Sequence, residues 1–295
     1  MSRYYNRIST LSGLDISNLS DDDLKAMVRA IVKGKLHGVA YSPYMDGQSV
    51  GMPVGEAQIR ERLEIIRHNT QWIRTFSCTV GNEATPAIAS EFGLKSMVGA
   101  WIDDDRAANE AELANAIEIA KAGHASVLAI GNEVLLRGEL SEDELISYIE
   151  RAKAAVGDVP VGYVDAYFLF ENHPRVAAAC DVLLVNCYPF WEEYPAEHAF
   201  VYMKEMYHRA VAVANGKKVI IAETGWPDKG TPEGGAVPSL RNAMKYFIDA
   251  CRWAAEEGVD LFYFAAFDEE WKIAKEGDVG AYWGIWDKNG VPKYF

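Results

Sequence analysis

Eight short apolar runs, each followed by a polar turn and a stretch with helical periodicity, constrain this chain more than any other feature. Such runs read as strands buried on both faces, and their alternation with helices implies parallel pairing through helical crossovers. The predicted strands cover residues 38–42, 72–77, 96–101, 127–133, 159–164, 182–186, 219–223 and 261–267. Helices are predicted at 56–69, 85–92, 109–122, from Ser141 onward, and at 174–179, 196–214 and 239–257. Their ends carry chemical punctuation: Ser141 with Glu144 in capping-box spacing, and Gly93, Gly123 and Gly258 as stops. A further helix begins at Ser20, a capping hydroxyl followed by Asp21, Asp22 and Asp23 at the positive end of the dipole. Eight such units in 295 residues without a linker predict one α/β domain, a single (β/α)8 TIM barrel. The barrel is expected over 37–295, with 1–36 supplying an N-terminal arm and a helix packed on it. An open doubly wound sheet would usually begin with a Gly-rich first turn, and none follows Tyr41.

Charge narrows the partners. With 43 acidic against 29 basic residues and a net charge of -14, the surface repels nucleic acid and anionic membranes and disfavours phosphorylated substrates. A neutral ligand fits. No apolar run approaches the ~18 residues of a membrane span, and the N-terminus carries no hydrophobic export signal. As written the chain reads as cytoplasmic, or as periplasmic or secreted if a signal has been removed, and a monomer is expected. Cys78, Cys180, Cys187 and Cys251 lack metal or CxxC spacing and read as buried free thiols. The six histidines form no His-x-x-x-His pair, so neither a metal nor another cofactor is expected.

A barrel of this kind builds its site at the C-terminal ends of its strands. Glu133 ends the fourth predicted strand and Glu223 the seventh, so both face one mouth. A carboxylate at the end of a buried strand costs desolvation energy unless its charge is used. Tyr41, Arg74, Tyr188, Phe267 and Glu269 also fall at strand ends, with Trp191, Trp226 and Lys272 in the loops that follow. Aromatic faces stack on sugar rings while carboxylates and amides bond hydroxyls. Two opposed carboxyls over a neutral, aromatic-lined cleft are what glycosidic hydrolysis needs: one protonated to release the leaving oxygen, the other ionised to attack or to activate water. Arg74 reads equally as a ligand contact or as the group orienting Glu223. Asp103, Asp104 and Asp105 read as a solvated turn ahead of a helix.

Four stretches, Ile130-Gly131-Asn132-Glu133, Asn186-Cys187-Tyr188-Pro189-Phe190, Glu223-Thr224-Gly225-Trp226-Pro227 and 267–272, resemble the successive motifs of glycoside hydrolase family 17. That family contains β-1,3-glucanases and glucanosyltransferases on retaining (β/α)8 barrels, and the resemblance spans residues 37–294. It implies that Glu133 is the acid/base and Glu223 the nucleophile, that Asn132 holds the sugar 2-hydroxyl and that Tyr188 bonds the nucleophile. It further implies that Tyr41, Trp226, Phe267, Glu269 and Lys272 line glucose subsites. The expected activity is hydrolysis of β-1,3-glucan through a covalent glucosyl-enzyme, with glucanosyl transfer by the same residues as the alternative. A non-catalytic glycan-binding barrel would have no use for the glutamate pair. A phosphate-handling aldolase or isomerase, suggested by Gly230, Gly234 and Gly235, fits poorly with the acidic charge.

Overall fold

The structure, a computed structural model, describes residues 15–295. Eight parallel strands close into a barrel in sequence order: β1 (Leu36–Ala40), β2 (Thr70–Arg74), β3 (Lys95–Ala100), β4 (Val127–Asn132), β5 (Val161–Ala166), β6 (Val182–Asn186), β7 (Val219–Thr224) and β8 (Leu261–Tyr263). The first helix, α1 (Asp21–Lys33), precedes the barrel. Between strands lie α2 (Glu56–Ile66), α3 (Thr85–Glu91), α4 (Arg106–Lys121), α5 (Glu142–Val156), α6 (Tyr167–Asn172), α7 (Pro174–Ala179), α8 (Ala196–Val213) and α9 (Leu240–Glu257). A four-residue α10 (Ile273–Glu276) follows β8. The (β/α)8 expectation is met, with α6 as an element the sequence reading lacked. Among the described residues, no helix is long and apolar enough to cross a membrane.

Local chemistry explains the boundaries. Ser141 Oγ accepts the Glu144 N–H at 3.3 Å while the Glu144 carboxylate accepts the Ser141 N–H at 3.0 Å, closing the predicted capping box of α5. Asp105 caps α4 through the N–H groups of Ala107 and Ala108, so the run of three aspartates is the turn it was read to be. Ahead of α1, Arg241 on α9 donates to the carbonyls of Ser17 and Leu19 and pairs with Asp21 at 2.5 Å. The arm expected before it falls largely on residues 1–14, outside the described ones.

Apolar side chains fill two compartments, as a (β/α)8 barrel requires. Met97, Val127, Val164, Leu184, Ile220 and Phe262 pack inside the barrel, and a larger layer packs between strands and helices. Gly38 on β1 leaves room for the Phe262 ring, because a Cβ there would lie 2.4 Å from it.

The regular pairing breaks at one end only. Register shifts fall between Ala129 and Asn132, between Val185 and Asn186, and between Ile221 and Thr224. All lie toward the C-terminal ends of strands, where bulges re-aim side chains. The strand predicted over 261–267 stops at Tyr263 for the same reason. Beyond it the N–H groups of Phe264, Ala265 and Ala266 bond to the carbonyls of Thr224, Trp283 and Ala40, three different segments. Residues 283–286 continue this exchange, and Lys293 then bridges Asp228 at 2.8 Å and Asp268 at 2.7 Å.

Candidate active site

Glu133 sits immediately beyond β4, where Gly131 (φ +84°) and Glu133 itself (φ +54°) both adopt left-handed backbone. Glycine enters that region freely; for a glutamate it costs about 1–2 kcal/mol, a strain typical of functional positions. The backbone N–H of Glu133 is held by the Val164 carbonyl at 2.8 Å. Its Oε1 accepts a hydrogen bond from Asn186 Nδ2 at 2.8 Å. Burial first, and the charge of Glu223 second, push the Glu133 carboxyl up to about 7, with the Asn186 bond opposing them.

Glu223 lies within β7, in register with Asn186 on β6. Each of its oxygens has a donor: Arg74 Nη1 reaches Oε1 at 2.5 Å and the Tyr188 hydroxyl reaches Oε2 at 2.6 Å. Arg74, at the end of β2, is fully buried and uses its other nitrogen to bond Asn132 Oδ1 at 2.6 Å. Of the two readings of Arg74, these contacts are the ones an orienting group makes. Arg74 also fixes the amide of Asn132, whose Nδ2 is thereby turned to serve as a donor. Burial and the neighbouring Glu223 raise the Tyr188 phenol well above its ordinary value, so it acts as a donor. One mouth therefore holds a carboxyl that binds its proton tightly beside a carboxylate paired with arginine.

At the same end of the barrel a cleft of about 340 Å³ runs between residues 44–49 and 268–271, with Lys288 in its lining and neither Glu133 nor Glu223 among the residues that line it. Glu269 and Lys272 form a buried ion pair at 2.6 Å at its edge, with Trp271 donating to Glu269 at 3.0 Å. Lys272 Nζ also rests 4.0 Å above the Phe264 ring. Across the mouth, Trp191 is 39% exposed and packs on Trp283, which in turn touches Tyr188.

Three residues expected to line sugar subsites do not reach the surface. Trp226 is completely buried, its indole N–H donated to the Val237 carbonyl and its ring wedged against Phe190 and Tyr246. Tyr41 is buried with its hydroxyl on the Ile59 carbonyl, and Phe267 is covered by the Arg62 guanidinium at 3.5 Å. They support the mouth from below: just past their strands, their side chains pack into the layer between strands and helices, which a strand-end position alone does not reveal.

The sequence reading passed over three polar groups. Asn186 lay inside a quoted motif, and its place at a strand end level with Glu223 was the available signal. Asp165 escapes because the predicted strand ends at Val164, two residues short of the observed end at Ala166. Glu276 on α10 is pushed up to about 7 by burial, with Lys272 opposing and Glu223 and Glu269 adding to the rise. No periodic pattern could have pointed to it. Among the described residues, no group of three or more His, Cys, Asp or Glu side chains could hold a metal ion.

Residues 38–284 match the BtgE/BtgC glycoside hydrolase domain. The chain belongs to this family, within glycoside hydrolase family 17. Among family relatives, a glucan 1,3-beta-glucosidase of Arthroderma benhamiae is 28% identical over 264 residues, covering 81% of this chain and 84% of the relative. The glucan 1,3-beta-glucosidase of Saccharomyces cerevisiae is 26% identical over 258 residues, covering 79% and 82%. A family 17 beta-1,3-glucanosyltransferase from Rhizomucor miehei superposes with a TM-score of 0.79 at 27% identity, over 88% of this chain and 96% of that one. An endo-laminarinase from Formosa shares the fold at a TM-score of 0.78 and 19% identity.

Proposed function

We propose that this glycoside hydrolase cleaves β-1,3-glucan with retention, using Glu133 as acid/base and Glu223 as nucleophile. The observation that carries the reading is the contrast between the two carboxyls: Glu133 pushed up to about 7, Glu223 held by Arg74 and Tyr188. A carboxyl that keeps its proton beside a carboxylate held by an arginine and a phenol supports this division of roles. Glu133 hands its proton to the glycosidic oxygen as a Glu223 oxygen bonds the anomeric carbon and the C–O bond breaks. Water then gives a proton back to Glu133 and displaces Glu223. Asn132, fixed by Arg74, donates to a hydroxyl of the sugar being attacked. Glu269 and Lys272 bond hydroxyls of the sugars beyond it, and Trp191 offers a stacking face. The relatives named glucan 1,3-beta-glucosidases support the choice of linkage.

Glu223→Gln and Glu133→Gln, each assayed on laminarin by reducing-sugar release, are expected to lose about 10³-fold or more of turnover. Retention of most activity by either variant overturns the assignment. NMR of the first product formed should give the β-anomer. Glucanosyl transfer is the second reading, favoured by the Rhizomucor miehei enzyme's likeness. Products longer than the starting laminari-oligosaccharide at high concentration select it.

A further inference from the structure

We propose that Asp165, acting with Tyr163, is the positioning residue that holds Glu133 where it can protonate the leaving oxygen. The inference rests on the role of Glu133 given above.

Tyr163 and Asp165, two positions apart, share one face of β5 and both are fully buried. The Tyr163 hydroxyl donates to Asp165 Oδ2 and accepts the backbone N–H of Leu135 at 2.9 Å. Asp165 Oδ2 also accepts the N–H of Leu136 at 3.4 Å, and Oδ1 accepts the N–H of Ala166 at 2.8 Å. Together with Val164, whose carbonyl holds the Glu133 N–H, β5 thus fastens three N–H groups in the four residues from Glu133 to Leu136. That turn carries the strained backbone of Glu133, which persists only where its surroundings over-determine it. Replacing the anchors lets the turn relax and the carboxyl swing.

The chemistry of the anchor is specific. Three donors converge on two carboxylate oxygens, a demand an amide cannot meet because it offers one oxygen and an NH₂. Asp165→Asn therefore faces a donor against a donor on one side, and loses either Ala166 or the Tyr163 and Leu136 pair. Asp165 also acts by charge. It stands with Glu223 of β7 in raising the proton affinity of Glu133, against Asn186 of β6 and Arg137 of the same turn. Tyr188, beyond β6, is the remaining titratable neighbour and stays protonated. Asp165 is itself pushed up to about 6 by burial and is ionised above that pH.

The test separates positioning from bulk stability by the leaving group. A 2,4-dinitrophenyl β-laminaribioside needs no proton to depart, so its cleavage depends on Glu223 and not on Glu133 as acid. Asp165→Asn and Tyr163→Phe are expected to lower kcat on laminari-oligosaccharides about a hundredfold, with KM little changed. Release of dinitrophenol in the first turnover should stay within about threefold of the parent. Asp165→Asn, which loses the charge, should also move the alkaline limb of kcat/KM to lower pH; Tyr163→Phe, which keeps it, should not. Equal losses on both substrates, or no loss on either, overturn the proposal. Glu133→Ala with added azide is the control for the reading beneath it. Azide attacks the anomeric carbon, displaces Glu223 and yields a β-glycosyl azide without needing a base. If azide restores no turnover there, the acid/base assignment has failed, whatever the Asp165 variants do.

Discussion

The two ends of this barrel hold similar ingredients and use them differently. At the C-terminal end lies the 340 Å³ cleft, lined by Tyr44, Trp271 and the acids Asp46, Asp268, Glu269 and Glu270, with the Arg74–Glu223 pair outside its lining. At the N-terminal end a larger cavity of about 480 Å³ is lined by His37, Trp72, Lys218, Asp260 and Phe262, among others. That lower end also has an aromatic stack, His37 on Trp72 at 5.5 Å, and charges: Asp260 takes both His37 and Lys218. What it lacks is the shift in strand register, since left-handed non-glycine residues occur there too, at Lys35 before β1 and Asn215 before β7. The strands there keep regular register, whereas the three shifts all belong to the upper end. Cavity size and aromatic lining therefore discriminate poorly between the ends. Register shifts and opposed carboxyls discriminate well, because they cost stability and persist only where the arrangement is used.

The comparison can be broken by substitution. The largest contrast should be in turnover: while Glu223→Gln loses about 10³-fold or more, His37→Ala at the lower end should stay within about twofold on laminarin. A matching loss at His37 ends the asymmetry. Next in size, Trp226→Ala should cost about 3–5 kcal/mol in urea unfolding, since it empties a fully buried site. The variant's KM for laminari-oligosaccharides, measured under folding conditions, should change little if the indole supports the mouth without touching sugar.

Glu133→Gln should stabilise the fold at pH 8, by on the order of 2 kcal/mol. The sign follows from protons. In the unfolded chain the carboxyl ionises from about 4.5 upward, but in the fold only near 7, so this group costs stability as pH rises between those values. Glutamine does not titrate. The gain should therefore be absent at pH 4 and complete at pH 8, and a difference flat across that range contradicts the burial argument. Smallest of all, Asp260→Asn should shift stability by less than about 1 kcal/mol, because that pair is partly exposed and screened.

How much of this could be read from the sequence depended on which force fixed each feature. Strand order and the helix starts at Ser20, Ser141 and Ser239 were legible because capping and apolar runs are local. The glutamate pair was legible because a charge ending a buried run has few other uses. The end of β8 was not, since its partners at residues 283–286 lie far along the chain. Nor were the inward turns of Tyr41, Trp226 and Phe267, where aromatic identity is the same for a wall and for a support. Glu276 and Asp165 escaped because burial and partners, which no local pattern encodes, give them their character.

Lys293 ties Asp228, just past β7, to Asp268, just past β8, and Trp283 receives the backbone beyond β8. The mouth is thus stitched shut by the last residues to be synthesised among those described. During translation the upstream strands can pair as they emerge, yet the pocket stays unfinished until position 293 has cleared the ribosome. Stalled nascent chains halted before Trp283 should accordingly be inert toward laminarin, and release past Lys293 should switch activity on.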